Sequence, residues 1–256
     1  MDVYRLFKLM SDRSSHNKRI AKNTLFLYLR MGLVLVVSLF STRVVLQALD
    51  IEDYGINNVV SGFVTMFAFL NTSMSNGVQR FYNFSLGRKN GYSIKDVYNT
   101  ALQIQAILAV TLLVPLETFG MWYIHTQMVI PIDRFAAAQW VFQFSVLSLV
   151  LLVLQIPYSA AIMAYEKMDY YAYLSIFDVL AKLGIAYIIK YTTFDKLILY
   201  GALNMLVSLI CFFLYYGYAK SHFQDLKSDF IIRKQLFKPM LYFSGWNGFG
   251  SFAYMI

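Results

Sequence analysis

The stretch TLFLYLRMGLVLVVSLFSTRVVL, residues 24–46, decides the fold. Only Arg30 and Arg43 interrupt its run of Leu, Val, Phe and small residues with charge. An α-helix rises 1.5 Å per residue, so about 20 such residues cross the roughly 30 Å hydrocarbon layer of a bilayer. The segment before it, residues 1–22, is polar and basic, with no apolar core followed by a small-residue cleavage site. We therefore read no cleavable signal peptide, and the first span serves as its own insertion signal.

Working outward, comparable stretches recur at 54–74, 97–121, 135–157, 170–191 and 197–218. A further one, PMLYFSGWNGFGSFAYMI, begins at Pro239 and reads as the start of a seventh helix cut off at Ile256. The sequence thus predicts an all-α membrane protein with four parts. These are a basic cytoplasmic N-terminus over 1–22, a six-helix transmembrane lobe over 23–220, a basic cytoplasmic linker over 221–238, and the truncated seventh helix over 239–256. Composition agrees: 59% of the 256 residues are hydrophobic and 14% charged, more apolar than a water-soluble core absorbs. The 20 Tyr and 22 Phe suit helices whose ends are anchored by rings at the headgroup level.

The net charge of +8 would suggest nucleic acid in a soluble protein, but here the basic residues flank apolar spans. With the N-terminus inside, fifteen of them lie on the cytoplasmic side and three, Arg134, Lys190 and Lys196, on the other. The positive-inside rule selects that orientation and leaves membrane lipid, not nucleic acid, as the partner of the basic flanks. Cys211 is the only cysteine, which excludes an internal disulfide and a thiolate metal site. His16, His125 and His222 are scattered, and neither a Gly-rich phosphate loop nor a nucleophile triad occurs. Loops this short leave no room for a soluble catalytic domain, so we expect no enzyme, no cofactor and no metal.

Polar residues inside the spans are the candidates for function, because a charge at mid-bilayer costs about 2.5–3.5 kcal/mol and needs water or a partner. Arg30 lies roughly 10 Å into the first helix, at the limit of snorkelling to the headgroups. Arg43, rotated from it by roughly 220°, reads as an outer headgroup anchor. The second helix ends in a polar half whose Asn71, Ser75, Asn76, Gln79 and Arg80 share one side, either lining a wet cavity or entering the headgroup zone. In the fifth span Asp178 and Lys182 stand at i, i+4 and are expected to pair. That pair is either a packing device, or a site where Asp178 couples an ion while Lys182 attracts phosphate. Pro115 and Pro157 are expected to interrupt the third and fourth spans.

NTLFLYLRM at 23–31 and STRVVLQALDIEDYGINNVVSGFVTMFAFLNTSMSNGVQRF at 41–81 resemble the N-terminal region of polysaccharide flippases. These belong to the multidrug, oligosaccharidyl-lipid and polysaccharide exporter superfamily. FSGWNGFGS at 243–251 looks like the start of that family's seventh helix. The basic entries NKRIAKNTLFLYLRMG and RKQLFKPMLYFSGWNG echo each other, as in proteins made of two similar halves. The resemblance implies the N-terminal lobe of a two-lobe MATE-like transporter of about 12 to 14 helices, in a bacterial cytoplasmic (inner) membrane. It also implies an O-antigen or lipopolysaccharide precursor as substrate, a lipid-linked oligosaccharide of the undecaprenyl-diphosphate type, and a missing C-terminal lobe as partner. On that reading Arg30, Asn71, Ser75, Asn76, Gln79, Arg80 and Lys182 bind substrate and Asp178 couples an ion. A multidrug or cation antiporter of the same superfamily and a non-transporting fragment remain as alternatives. A membrane-embedded polymerase or acyltransferase would call for a large outer loop.

The orientation is testable in spheroplasts. In a Cys211→Ser background, a lone cysteine at Lys227 should react with a membrane-impermeant maleimide only after permeabilisation, and one at Thr193 without it.

Overall fold

The computed structural model describes residues 3–87, 91–226 and 234–255. Arg88, Lys89 and the predicted linker's 227–233 lie outside the described residues. Those described fold into helices and their connections, without a strand: α1 Val3–Thr65, α2 Ala68–Leu86, α3 Ile94–Pro115, a π-helical turn Leu116–Gly120, α4 Met121–Thr126, α5 Phe135–Ala164, α6 Met168–Lys190, α7 Lys196–His222 and α8 Lys234–Met255. Five runs are long and apolar enough to cross a membrane: Ala21–Gly62, Ile94–Thr126, Phe135–Ala164, Met168–Lys190 and Lys196–His222. The protein is an all-α, multi-pass membrane protein by that measure.

The first two predicted spans do not part at a loop. Helix α1 continues from Val3 to Thr65, broken only at Asp50, where φ 63° and ψ 170° place an L-residue in strained backbone. A straight helix over the 42 residues Ala21–Gly62 would be about 63 Å long, twice the hydrocarbon thickness, so the break at Asp50 divides the run. Asp50, Glu52 and Asp53 read as a loop by polarity, yet the helix resumes at once because Asp53 turns inward, 5% exposed, toward a cation. The second predicted span is itself split at Met66–Phe67, and α2 forms its polar half.

The cation is Arg134, at the start of α5. Its Nε lies 3.2 Å from Asp53 Oδ1 as an ion pair without hydrogen-bond alignment, and its Nη1 donates to Asp195 Oδ2 at 2.9 Å. Asp195 is also the N-cap of α7, accepting from the Leu197 and Ile198 amides at 3.0 and 3.1 Å. One guanidinium therefore joins the second half of α1 to the starts of α5 and α7.

Local signals set some of the other boundaries. Ser93 and Asp96 form a capping box that starts α3. Pro115 is followed by the π-helical turn, whose Glu117 accepts from Gln143 Nε2 at 2.9 Å, which ties this turn to α5. Pro157, expected to interrupt its span, does not: α5 runs through it to Ala164, and the Tyr82 hydroxyl donates to the Pro157 carbonyl at 3.3 Å, docking α2 there. The helix then ends in a Schellman pattern with Glu166 at positive φ, Lys167 N donating to Ile162 O and Glu166 N to Met163 O, both at 3.0 Å.

Helix α1 before Asp50 runs alongside α6 in the same direction. Arg30 meets Tyr171 at one end, and Val45, Ala48 and Leu49 pack with Ile185, Ala186 and Ile189 at the other. Its remaining face, including Leu25, Leu29, Leu35, Leu39 and Phe40, is exposed and apolar, as a lipid-facing surface requires. Helices α5 and α7 pack closely at Gly201, where a Cβ would lie 3.2 Å from the Phe144 ring. Helix α8 lies antiparallel on α2 through small residues: Ser73 faces Gly248, Gly77 faces Ser244, and the Ser73 hydroxyl donates to the Ser244 carbonyl. Two small-xxx-small pairs thus let the backbones approach closely.

A Cβ at Gly77 would collide with the Ser244 hydroxyl and lie 3.2 Å from the Ser244 Cβ. Gly77→Ala should therefore destabilise the protein by about 1–3 kcal/mol, the usual cost of overpacking. Adding Ser244→Gly should restore most of the loss, as read by thermal unfolding in detergent.

Candidate functional site

A cavity of about 780 Å³ lies between α1, α2, α5, α6 and α7. Each helix contributes a face because its cavity residues recur every three or four positions. On α6 these are Tyr171, Ser175, Asp178 and Lys182, and on α7 Tyr200, Asn204, Ser208, Cys211 and Tyr215. On α5 they are Ser145, Ser148, Gln155 and Ser159, a polar seam along an otherwise apolar helix. Helix α1 supplies Arg30 from before its break and Asn57 and Ser61 from after it, and α2 supplies Asn71, Thr72, Ser75 and Asn76.

Six of the eight residues singled out from sequence therefore line one cavity: Arg30, Asn71, Ser75, Asn76, Asp178 and Lys182. Gln79 and Arg80 do not. They continue the same face of α2 by one more turn, beyond the cavity. There α8 packs on α2 and takes up Arg80, whose guanidinium lies 4.1 Å from the Phe243 ring centre and 5.2 Å from that of Phe84. The helical periodicity of α2 was legible in the sequence, and so was a helix over 239–256, but not that the second packs on the first.

Sequence reasoning passed over the serines of α5 and α7. Ser145, Ser148 and Ser159 follow helical spacing, the signal that would have found them, but a serine in a transmembrane helix is commonplace. Tyr171 and Tyr215 likewise read as interfacial rings, whereas both border the cavity.

The charges are arranged unequally. Lys182 Nζ donates to Asp178 Oδ2 at 2.8 Å, the i, i+4 pair that the spacing predicts, and the Cys211 thiol lies 4.0 Å from the other carboxylate oxygen. These two charges cancel. Arg30 has no such neutralisation: among the described residues it forms no ion pair, its Nε is buried without a hydrogen-bond partner, and its guanidinium sits 4.6 Å from the Tyr171 ring centre. A cation–π contact of about 0.5–2 kcal/mol offsets only part of the cost of a cation within the membrane. The cavity thus carries one net positive charge in a wall where hydroxyls, amides and rings alternate with aliphatic side chains such as Val34, Leu149, Leu152 and Val179.

No family model matches the chain, and neither a curated protein nor a solved structure does. The reading of the site therefore rests on its chemistry. It offers polar groups from each of five helices set among aliphatic ones, and one unneutralised guanidinium with donors and no acceptor. Such a cavity suits a polar, anionic or hydroxyl-rich group that must be kept from hydrocarbon.

The Asp178–Lys182 pair makes a separable prediction. Lys182→Met leaves Asp178 without its counter-charge and should lower stability by about 1–3 kcal/mol. Lys182→Met with Asp178→Asn should recover it. The check is thermal unfolding of the purified chain, and any transport lost by the recovered double variant would then measure a functional role apart from packing.

Proposed function

We propose that the protein translocates a lipid-linked oligosaccharide or polysaccharide precursor from the inner to the outer leaflet of a bacterial cytoplasmic membrane. Arg30 is the observation that carries the reading: a guanidinium in a polar intramembrane cavity, without a carboxylate partner among the described residues. Its planar fork suits the diphosphate of such a lipid, which it can engage through two parallel N–H···O bonds. The hydroxyls and amides around it suit sugars, while the exposed apolar face of α1 gives the lipid tail a path along the bilayer.

In this proposal the chain is the N-terminal six-helix lobe of a two-lobe MATE-like transporter, with its N-terminus cytoplasmic. The break at Asp50 separates the first span from the second, which continues through α2, and α8 begins the second lobe. The two lobes rock about the cavity to expose it to each side in turn. With the cell interior negative, outward movement of about two negative charges gains roughly 4.6 kcal/mol at 100 mV, so the potential alone favours export. A multidrug or cation exporter would want an unneutralised acid in the cavity, and the acid there, Asp178, is matched by Lys182.

The test is leaflet translocation of a fluorescent lipid-diphosphate oligosaccharide in proteoliposomes, using this chain and any longer gene product that contains it. Arg30→Ala should reduce transport by at least about tenfold, one charge-assisted hydrogen bond or more, and Arg30→Lys should retain part of it. No transport by either form would overturn the function. Transport by the longer form alone would make this chain a non-transporting part of it. Transport unchanged by Arg30→Ala would overturn the site.

A further inference from the structure

Three ionised side chains stand among the described residues that line the cavity, and they form two stations along α6. Arg30 lies against the Tyr171 ring near the start of the helix, with Tyr215 of α7 close by. Lys182 Nζ is drawn back to Asp178, seven residues beyond Tyr171, or roughly 10 Å along the axis. The first cation is open and the second is covered. The covering pair is unlike an ion pair that fastens a fold. Arg134 ties three helices through two carboxylates, whereas Asp178 and Lys182 stand one turn apart on α6, and their bond joins it to no other helix. The Cys211 thiol of α7 is a weak donor, 4.0 Å from Asp178 Oδ1. Both charged side chains keep contact with the cavity, Lys182 43% and Asp178 32% exposed. Two apolar residues would suit a membrane helix better than two ions. What the carboxylate achieves is electrostatic: it gives Lys182 the anion that this cation would otherwise draw from the cavity.

We infer that Asp178 is a tethered counter-anion that closes a second anion station at Lys182 and so confines the anionic group of the ligand to Arg30. This deepens the function proposed above and rests on the same cavity being the substrate site. Without the carboxylate the cavity would hold two open cations along one helix, and a diphosphate would have two places to settle. With it, the anionic end has a single place beside Tyr171, and the uncharged part of the ligand is left the remainder of the cavity. Asp178 is then a positioning residue: it touches Lys182 and acts on the ligand through it.

Equilibrium binding of inorganic pyrophosphate, which carries neither lipid nor sugar, to the full chain in nanodiscs of neutral lipid tests this. The unaltered protein should bind it, and Arg30→Ala should weaken binding by about tenfold or more, the loss of a charge-assisted hydrogen bond. Adding Asp178→Asn to Arg30→Ala should restore most of the lost affinity, and adding Lys182→Met to those two should abolish the gain. Such a gain of binding is not produced by a loss of structure. Lys182→Met with Asp178→Asn removes the pair as a neutral unit and should leave the affinity unchanged, an arm that stands whether or not the Arg30→Ala, Asp178→Asn chain folds. Binding that stays lost without Asp178, that is regained but survives Lys182→Met, or that falls when the neutral pair is removed would overturn the inference and leave Arg30 as an anion site. Binding indifferent to Arg30→Ala would overturn the inference and the site at Arg30 together. Binding that appears only once Asp178 is removed, and needs Lys182, would keep the closed station and overturn the diphosphate site at Arg30. No binding by any form would overturn both.

Discussion

Arg134 fixes the frame on which the cavity depends. Its two carboxylate partners belong to helices far apart in sequence, and it stands at the start of a third, so the second half of α1, α5 and α7 are set in one register at that end. Three of the five helices around the cavity are positioned by this contact. Asp195 strengthens the arrangement because the same carboxylate caps α7 and receives the guanidinium. Asp53 shows what that is worth, since a carboxylate only 5% exposed would not persist without a counter-charge.

A second constraint acts throughout the apolar region: hydrocarbon supplies no hydrogen bonds, so polar groups must find partners within the protein. The chain meets it in two ways. Side-chain hydroxyls donate back to carbonyls of their own helices, as at Ser145, Ser148, Ser175 and Ser208. Ionised groups either pair, as Asp178 and Lys182 do, or turn to the cavity, as Arg30 does. Packing is solved separately, by small residues where helices must come close: Gly201 between α7 and α5, and the serine and glycine positions between α2 and α8.

Much of this was legible in the sequence because it is local. Apolar length marked the spans, i, i+4 spacing paired Asp178 with Lys182, and the polar stripe of α2 named Asn71, Ser75 and Asn76. What escaped is non-local. Nothing in the α2 stretch alone reveals that α8 packs along it and brings Phe243 to Arg80, and Gln79 and Arg80 were placed with the cavity residues. Nothing near Asp50 announces that Asp53 will be drawn inward by an arginine eighty-one positions later, so a helix break was read as a loop. Pro157 misled for the opposite reason: its local rule is strong, but the helix around it is packed against α2 and α7 and continues regardless.

The break at Asp50 also gives α1 a mechanical character. Arg30 stands twenty residues before it, a lever arm of roughly 30 Å along the helix. A tilt of about 10° at that single pivot would carry the guanidinium roughly 5 Å sideways, more than the length of a hydrogen bond. The segment beyond the pivot is held by Arg134, whereas the long arm packs along α6 on one side and is exposed on the other, so a tilt of this arm would carry α6 with it. A strained residue between a rod clamped to α5 and α7 and another docked on α6 is the arrangement of a crank, and here the handle carries the cavity's unpaired charge.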